Sequence, residues 1–531
     1  MGSFFNPGKR LFADTRRSEI YIDKSEMIEY LNRCIDTEQR FVCVSRPRRF
    51  GKSMAAKMLC AYYDQSCDAQ ELFDGLKIAG AASYQTHLNR YPVIHLDIQW
   101  FRSNSQDGTA AVRMLEKGVS AELLAAYPEA AEEICADGEY VPLPVVLEQL
   151  SRRIGKRFVI IIDEWDCLFR QDKSDHKAQE AYLALLRGLF KGTVSEQFVS
   201  LAYLTGILPI KKYGTESALN NFDEYTMADP GPLAEYVGFT EEEVYALCAE
   251  YKMNFEEAQR WYDGYRFFEN SHIYSPKSVV DAMRRHRFGN YWTKTETYES
   301  LKLYIAMNFD GLKDTVIDLL GGAHHRCDTE AFQNDMTTFE SGDDVLTLLV
   351  HLGYLAYDVE QGEVFIPNEE VRSAFVRAIR VNGWNEVMQA IGDSERLLQA
   401  TWAKDEETVA AMIHAVHRQN TASLVYNHEI SLASVITLAY YSAAKDYTVI
   451  RELPAGEGFA DIVFLPRRVS EKPALVVELK WNRSAEGAVR QIREKRYVEA
   501  LREYRGNILL VGINYDKKTK THQCRIEEAL I

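Results

Sequence analysis

The hydrophobic pattern of the first half of the chain consists of short apolar runs separated by longer stretches of helical character. Such runs are typical of strands buried on both faces, and their alternation with helices is typical of a parallel sheet. The pattern therefore predicts a parallel α/β domain over residues 1–235. Its strand-like runs are FVCV (41–44), YPVIHLDI (91–98), FVIIID (158–163) and QFVSLAYLTGI (197–207).

Residues 236–330 have a helical pattern and predict a helical lid region. Thr240 and Glu243 have the spacing of a capping box, which marks the start of a helix. The segment WYDGYRFF (261–268) is dense in aromatic residues around an Asp-Gly pair. We interpret it as a packed turn between helices rather than as a ligand-binding cage.

Residues 331–405 show the order helix, strand, turn, strand, helix, with the hairpin turn at residues 360–363. This order predicts a winged-helix-like module. Such modules bind DNA in some proteins and mediate protein contacts in others. The acidic hairpin residues Asp358, Glu360 and Glu363 favour the contact role here.

The stretch VSRPRRFGKSM (44–54) lies between a strand-like run and a helical run, which is where parallel α/β domains bind phosphate. It ends in Gly-Lys-Ser, as phosphate-binding loops do, but Arg46 stands where the pattern has glycine. Lys52 is expected to contact the β- and γ-phosphates of ATP, and Ser53 to bind Mg²⁺. A basic surface turn is the alternative. The predicted nucleotide-binding loop is Arg46, Pro47, Arg48, Arg49, Phe50, Gly51, Lys52, Ser53 and Met54.

The apolar run FVIIID ends in Asp163, and a second acidic residue, Glu164, follows it directly. Because ligands of such sheets bind at the carboxyl ends of the strands, Asp163 is expected near the loop as a second Mg²⁺ ligand. Glu164 is expected to activate the attacking water as a general base. Thr205 ends the next strand and either senses the γ-phosphate or caps a loop.

A second set of polar residues lies in the predicted strands ADIVFL (460–465) and ALVVELK (474–480). An antiparallel hairpin of these strands places Asp461 opposite Glu478, with Lys480 on the same face. Two carboxylates suit Mg²⁺ or Mn²⁺, and the lysine would orient a water for attack on a phosphodiester. A surface salt bridge on a strand is the alternative.

Two neighbouring helical runs extend this second site. Glu429 in the preceding run is positioned to reach the same metal, and Gln491 lies in the run that follows the strands. Together these elements predict a C-terminal α/β domain over residues 406–531. The predicted catalytic set is Glu164, Glu429, Asp461, Glu478, Lys480 and Gln491, and the predicted metal ligands are Ser53, Asp163, Asp461 and Glu478.

Net charge and composition limit the classes of partner that this chain is expected to bind. The 531-residue chain has a net charge of −16, which argues against non-specific coating of nucleic acid. Residues 461–531 nevertheless contain 15 Lys/Arg against 10 Asp/Glu, so nucleic acid is expected to contact this segment. No apolar run approaches the ~20 residues of a membrane span, and no membrane partner is expected. The nine cysteines lack a C-x-x-C pair and there is no apolar signal core, which favours a cytoplasmic protein.

The motifs RPRRFGKS, IIDEWD, LTGI, WYDGYRF and YNHE…GFADIVF…VELK, in this order, resemble bacterial AAA-ATPase-like proteins with a C-terminal PD-(D/E)XK nuclease-superfamily domain. The resemblance extends from about Ile20 to Ile513. It implies that the arginine-bearing loop is a usual form of the phosphate-binding loop in this family. It also implies a P-loop NTPase fold for residues 1–235 and an α/β restriction-endonuclease-like fold for residues 406–531. In the latter it implies a nuclease motif at Asp461, Glu478 and Lys480, although Ala460 replaces the proline of the motif.

The expected function is therefore an ATP-binding and ATP-hydrolysing switch coupled to a metal-dependent nuclease. Two alternatives remain. In the first, the nuclease fold is a non-catalytic docking module of an interaction protein. In the second, the P-loop domain binds nucleotide without turnover. Assembly into a homo-oligomer is a further expectation.

Overall fold

The computed structural model describes residues 2–135, 140–210, 212–213, 216–217, 219–268, 271–292, 297–307, 309, 312–330, 332, 339–382, 385–420, 429–455, 458–466, 472–501 and 506–529. The chain divides into two compact units. The first is Met1–Trp292 with Asp328–Glu360, and the second is Thr293–Cys327 with Gln361–Ile531. None of the described helices combines the length and apolar character that crossing a bilayer requires.

The first 292 residues alternate helices with mostly short strands. The helices are α1 (Arg10–Arg16), α2 (Glu26–Cys34), α3 (Lys52–Tyr63), α4 (Gln70–Phe73), α5 (Tyr84–His87), α6 (Ile98–Ser103), α7 (Gly108–Ala126), α8 (Pro128–Ile134), α9 (Leu143–Ile154), α10 (Cys167–Gln171), α11 (His176–Phe190), α12 (Ser195–Phe198), α13 (Glu241–Glu250), α14 (Phe255–Tyr262) and α15 (Pro276–Arg285). The strands are β1 (Phe41–Ser45), β2 (Val93–Asp97), β3 (Phe158–Asp163), β4 (Val199–Gly206), β5 (Lys212–Tyr213), β6 (Glu216–Ser217), β7 (Asp223–Tyr225), β8 (Phe239–Thr240), β9 (Tyr265–Phe268) and β10 (Ser271–Tyr274).

The rest of the chain contains longer helices and a second large sheet. The helices are α16 (Thr297–Met307), α17 (Leu312–Leu320), α18 (Gly342–His351), α19 (Glu369–Val381), α20 (Asn385–Trp402), α21 (Glu406–Asn420), α22 (Glu429–Ala439) and α23 (Ala485–Glu494). The strands are β11 (His325–Arg326), β12 (Ala356–Asp358), β13 (Glu363–Phe365), β14 (Tyr447–Ala455), β15 (Gly458–Pro466), β16 (Ala474–Trp481), β17 (Ile508–Asp516) and β18 (Thr521–Glu528).

The large sheet of the first unit is five-stranded and parallel, in the order β2-β3-β4-β1-β7. Every residue of β1, β3 and β4 is buried, as expected for strands with helices on both faces. The four predicted strands and the α/β class are confirmed. The sequence analysis missed β7, because this strand has three residues and the polar sequence Asp-Glu-Tyr.

The predicted helical region after residue 236 contains helices but also a small sheet. Thr240 and Glu243 form the expected capping box of α13, in which Thr240 N donates to Glu243 Oε2 at 2.9 Å. The antiparallel strands β8, β10 and β9 accompany these helices and were not predicted. They are two to four residues long, which is too short for a clear alternating pattern. The segment 261–268 ends α14, turns at Asp263-Gly264 and forms β9, so the predicted turn joins a helix to a strand and not two helices.

The segment predicted as winged-helix-like has the expected order of elements, α18, β12, β13 and α19. The turn between the two strands contains Gly362 at φ 65°, a conformation that favours glycine. The boundary between the two compact units falls in this turn, between Glu360 and Gln361. The module and the predicted domain boundaries therefore stay predictions.

The second large sheet has the order β14-β15-β16-β17-β18. Its strands pair antiparallel except for β16 and β17, which are parallel and are connected through α23. The predicted hairpin of β15 and β16 is confirmed, with Ile462 opposite Val477. The α/β class predicted for this part of the chain is confirmed as well.

Three histidines lie together where α21 packs on β18. His417 and His522 are buried, with 2.9 Å between His417 Nδ1 and His522 Nε2, and His414 Nδ1 lies 3.4 Å from His522 Nδ1. Burial, followed by repulsion from the neighbouring histidines, lowers the pKa of His417 to about 4 and that of His522 to about 3. The folded domain therefore holds these rings neutral.

This cluster predicts a loss of stability at mildly acidic pH. Since both folded pKa values lie below the unfolded value of about 6.5, stability is full above that pH and falls as the pH drops through 6.5 toward 4. Between pH 7.5 and 5 the expected loss is roughly 2 kcal/mol for each ring. Urea unfolding of wild type and of the His417→Gln/His522→Gln variant at both pH values measures it. The variant should lose less stability, whereas the exposed His176→Gln control should behave like wild type; equal losses in all three would contradict the assignment.

Candidate functional site

The loop between β1 and α3 contains two residues with a positive φ, Arg49 and Gly51. Gly51 has φ 100°, and nothing lies within 4 Å of the position that a Cβ would take there. Arg49 has φ 70°, which is uncommon for a residue other than glycine and is often found at functional sites. The Lys52 ammonium folds back over the loop and donates to the Pro47 carbonyl at 2.9 Å. Burial lowers the pKa of Lys52, while Glu164 and Asp163 act against that shift.

The Arg46 side chain does not lie where it was predicted, among the nucleotide-binding groups of the loop. Its side chain is fully buried, and Nη1 donates to the carbonyls of Ser45 at 2.9 Å, Tyr225 at 3.1 Å and Thr226 at 2.9 Å. Its guanidinium also lies 4.9 Å from the ring centre of Phe267. Burial lowers the pKa of Arg46 to about 10. The structure therefore places this side chain in the protein interior, where it ties β1 to β7, and not among the groups that face a phosphate.

The rest of the loop is held by residues far away in the sequence. The Trp292 indole donates to the Arg48 carbonyl at 3.0 Å, and Phe50 packs edge-on against Tyr265 at 5.4 Å. The Tyr265 hydroxyl donates to the Gly353 carbonyl at 2.6 Å. The aromatic segment 261–268 thus packs against the phosphate loop, a contact that the sequence pattern did not reveal. Arg49 is partly exposed, and its guanidinium reaches the Tyr291 carbonyl at 3.5 Å.

Lys52, Ser53 and Asp163 come together as predicted. The Asp163 carboxylate is 6% exposed, and Ser53 and Lys52 both lie near enough to stabilise its charge. Burial raises the pKa of Asp163 to about 6, and Glu164 adds to this shift, whereas Ser53 and Lys52 oppose it. A carboxylate held so close to neutrality gains from a nearby cation, so Ser53 and Asp163 fit as ligands of a nucleotide-bound Mg²⁺.

Glu164 lies in a buried ion-pair network that the sequence analysis missed. Its Oε2 accepts from Arg170 Nη2, and Arg170 Nε donates to Asp166 Oδ2 at 2.8 Å. Asp166 Oδ2 also accepts from the Leu208 N–H at 2.8 Å. The four-residue spacing between Asp166, which precedes α10, and Arg170 within it was the available signal. Glu164 itself has φ 53°, a strained conformation at the end of a buried strand.

Met54 and Thr205, the remaining two residues predicted at the nucleotide site, differ in their exposure to solvent. Met54 in the first turn of α3 is 39% exposed. Thr205 is fully buried, and its hydroxyl donates to the Val44 carbonyl of the adjacent strand at 3.0 Å. Thr205 therefore links β4 to β1 in this conformation, and its role as a phosphate sensor stays a prediction.

The second site forms on β15 and β16. The ladder of β15 and β16 includes Ile462 opposite Val477, and Asp461 and Glu478 are the next residues along the two strands. The Lys480 ammonium lies 2.7 Å from Glu478 Oε1, and Asp461 Oδ2 accepts from the Leu479 N–H at 2.6 Å. Burial raises the pKa of Glu478 to about 7, and the Asp461 charge adds to this shift, whereas Lys480 opposes it. The predicted convergence of Asp461, Glu478 and Lys480 is present.

Gln491 joins this set from α23. Its Nε2 donates to Glu478 Oε1 and also to the Tyr497 hydroxyl at 3.2 Å. The sequence analysis did not single out Tyr497, which lies six residues beyond Gln491. Glu429 begins α22, but its side chain lies outside the described residues.

Glu478 is 2% exposed, and its Oε2 has no hydrogen-bond partner among the described residues. A buried carboxylate oxygen without a donor costs free energy, and a second carboxylate at Asp461 increases that cost. A divalent cation would neutralise both groups. Asp461 and Glu478 therefore fit Mg²⁺ or Mn²⁺, and Lys480 and Gln491 hold the opposite oxygen of Glu478 in place.

Comparisons with known proteins match the two parts of the chain separately. Residues 10–215 match the family described as predicted AAA-ATPase, and residues 429–524 match the PD-(D/E)XK nuclease superfamily. No curated protein matches the chain.

Three similar solved structures illustrate the level of likeness. The Aeropyrum pernix ORC2 protein in its ADPNP-ADP complexes is 10% identical, with 71% of this chain and 99% of that chain covered and a TM-score of 0.27. The ADP form of the same protein is 13% identical, with 72% and 99% covered and a TM-score of 0.26. Cdc6p from Pyrobaculum aerophilum is 9% identical, with 70% and 98% covered and a TM-score of 0.21. The assignment of the two domains rests on the family matches.

The buried position of Arg46 generates a prediction about stability. Arg46→Leu removes the donor to three carbonyls, and each unsatisfied buried group costs about 1–3 kcal/mol. Thermal melting of the nucleotide-free protein should therefore show a marked loss of stability. Arg49→Leu, at the partly exposed neighbouring arginine, is the matched control and should melt like wild type. Equal melting temperatures for the two variants would contradict the interior role of Arg46.

Proposed function

We propose that this chain, which joins an AAA-ATPase-like domain to a domain of the PD-(D/E)XK nuclease superfamily, is an ATP-hydrolysing switch that controls a metal-dependent nuclease. The single observation that supports the nuclease most is the buried Glu478, whose Oε2 lacks a partner among the described residues while Oε1 is held by Lys480 and Gln491. This asymmetry suits a carboxylate that shares one oxygen with a cation.

In the ATPase domain, the loop N–H groups and the N-terminus of α3 would bind the phosphates of ATP. Lys52 would leave the Pro47 carbonyl and contact the phosphates instead. Ser53 and Asp163 would hold Mg²⁺, which supplies charge neutralisation at the phosphates. Glu164 would accept the proton of the attacking water once its contact with Arg170 opens.

In the nuclease domain, Asp461 and Glu478 would hold Mg²⁺ or Mn²⁺, which supplies stabilisation of the phosphate charge. Lys480 would orient the attacking water, since its ammonium lies 2.7 Å from Glu478 Oε1 and is therefore close to the metal proposed at the other oxygen of this carboxylate. Gln491 would keep Glu478 in a single orientation, and Tyr497 would do the same for Gln491.

Coupling of the two activities is supported by the path of the chain. The polypeptide passes between the two compact units at residues 292/293, 327/328 and 360/361. A nucleotide-dependent change in the first unit would therefore act on the second through three covalent connections. Nucleic acid is the proposed partner of the C-terminal domain. A non-catalytic docking module is the alternative, and the intact set of Asp461, Glu478 and Lys480 argues against it.

The ATPase proposal predicts different effects for two substitutions. Lys52→Ala should lose ATP binding in calorimetry with an unchanged circular dichroism spectrum, whereas Lys57→Ala on the same helix should bind normally. Glu164→Gln should still bind ATP but hydrolyse it about 10²–10⁴-fold more slowly, as expected for a general base. Wild-type affinity of Lys52→Ala, or unchanged turnover of Glu164→Gln, would refute the assigned roles.

The nuclease proposal predicts metal binding that can be separated from cleavage. Mn²⁺ at 100 times its dissociation constant should stabilise the full chain by about 2.7 kcal/mol. Asp461→Asn and Glu478→Gln should abolish this gain, while the exposed Glu494→Gln control should keep it. Lys480→Ala should retain Mn²⁺ binding but not cleave labelled nucleic acids.

Calorimetry with Mn²⁺, with and without nucleic acid, provides the decisive measurement. If the wild-type chain binds no Mn²⁺ in either condition, the three residues form a strand salt bridge, and the docking-module alternative takes their place.

A further inference from the structure

The surface at the carboxyl end of β16 combines an exposed aromatic ring with exposed cations. Phe459 is 62% exposed, which is unusual for a phenylalanine in a strand. It lies two residues from Asp461 and therefore on the same face of β15. β15 and β16 are antiparallel. The step from Asp461 back to Phe459 therefore leads toward the carboxyl end of β16, as does the step from Glu478 to Lys480. The ring thus lies beside the proposed catalytic residues, toward the carboxyl end of β16.

The cations lie in two turns at the same end of the sheet. Arg483 follows β16, and Lys517, Lys518 and Lys520 lie between β17 and β18. All four side chains are exposed, and none of them forms an ion pair within the part of the chain that the structure describes. The acidic residue in these turns, Asp516, accepts hydrogen bonds from the N–H groups of Lys518 at 2.7 Å and Thr519 at 3.0 Å. The turns therefore present net positive charge in a chain of net charge −16.

Hydrogen bonds between the two turns make them one platform. The Lys517 N–H donates to Asn482 Oδ1 at 2.8 Å, and the Arg483 N–H donates to Asn514 Oδ1 at 2.9 Å. Asn514 is buried and lies beside Lys480 in the parallel register. Arg483 and Lys517 each follow this pair by three residues, beyond the ends of β16 and β17.

We propose that this platform binds a single-stranded segment of nucleic acid, in which Phe459 stacks on a base and the four cations contact the phosphates on one side of the cleavage site. A cationic track combined with an exposed aromatic ring is the chemistry that binds single strands, because every unpaired base offers a flat face for stacking. In a continuous duplex the bases are already stacked, and Phe459 has no partner. The inference names the substrate of the proposed nuclease, but its binding test does not depend on cleavage.

The cations are tested through the salt dependence of binding. Fluorescence anisotropy of the full chain with a labelled 20-nucleotide DNA strand is measured in EDTA over a range of KCl concentrations. Each lost phosphate contact lowers the salt slope by about 0.7 for a single strand, so Lys517→Ser/Lys518→Ser/Lys520→Ser should reduce it by about 2. The control triple Lys177→Ser/Lys191→Ser/Lys252→Ser changes net charge equally at exposed sites elsewhere and should leave the slope unchanged. Equal slopes for the two triples would overturn the platform.

The ring is tested by comparing single-stranded and duplex probes. Phe459→Ala should weaken single-strand binding by roughly 5- to 100-fold at an unchanged salt slope, because stacking is not electrostatic. Phe459→Trp should restore the affinity, and Phe459→Leu, which is apolar but not aromatic, should not. Tyr245→Ala removes an equally exposed ring, 61% accessible on α13, and should have no effect. Duplex binding should be insensitive to Phe459.

The outcomes separate this inference from the nuclease proposal. The stacking role of Phe459 is overturned if Phe459→Ala loses similar affinity for duplex and single-stranded probes. It is also overturned if Phe459→Leu binds the single strand with wild-type affinity. Failure of the wild-type chain to bind either a DNA strand or an RNA strand of the same sequence overturns the inference entirely. Binding that follows the predicted pattern, without cleavage in Mn²⁺, supports the platform and refutes only the nuclease chemistry.

Discussion

Each of the two sites depends on a carboxylate that is buried on a strand beside one lysine. Burial raises the pKa of Asp163 to about 6 and that of Glu478 to about 7, and in each case a second carboxylate adds to the shift. Lys52 and Lys480 act against these shifts but do not cancel them. Burial of such a carboxylate is unfavourable, and a bound cation offsets that cost. This is the physical basis of both proposed activities.

The surrounding structure serves to keep these charged groups in place. Around the phosphate loop the support is provided by neutral acceptors: three carbonyls bind Arg46, and one accepts from Trp292. Around Glu164 it is provided by charge, through Arg170 and Asp166. Around Glu478 it is provided by an amide, Gln491, which is itself bonded to Tyr497. Each network restricts a side chain to one rotamer, which is a requirement for precise binding of phosphate or metal.

The arginines of the phosphate loop lie in two different environments, since Arg46 is buried whereas Arg48 and Arg49 are partly exposed. A phosphate-binding loop with glycine at position 46 would leave a space that, in this protein, the Arg46 side chain fills on its way into the interior. The guanidinium then bonds to backbone that follows β7 and lies over Phe267. Arg48 and Arg49 remain partly exposed on the loop. The arginines in RPRRFGK thus have at least two physical roles, of which only the exposed one is suited to contact with a nucleotide.

Local patterns in the sequence determined the features that depend on neighbouring residues. The apolar runs predicted β1 to β4, the Thr240–Glu243 spacing predicted the start of α13, and antiparallel geometry placed Asp461 opposite Glu478. Only the tertiary structure decided the remainder. It buried Arg46, paired Glu164 with Arg170, brought Tyr265 to the phosphate loop, and formed β7 to β10 from segments too short to show a period. These features join residues distant in the sequence or lack a local pattern, and their stability comes from packing that forms only when the chain has folded.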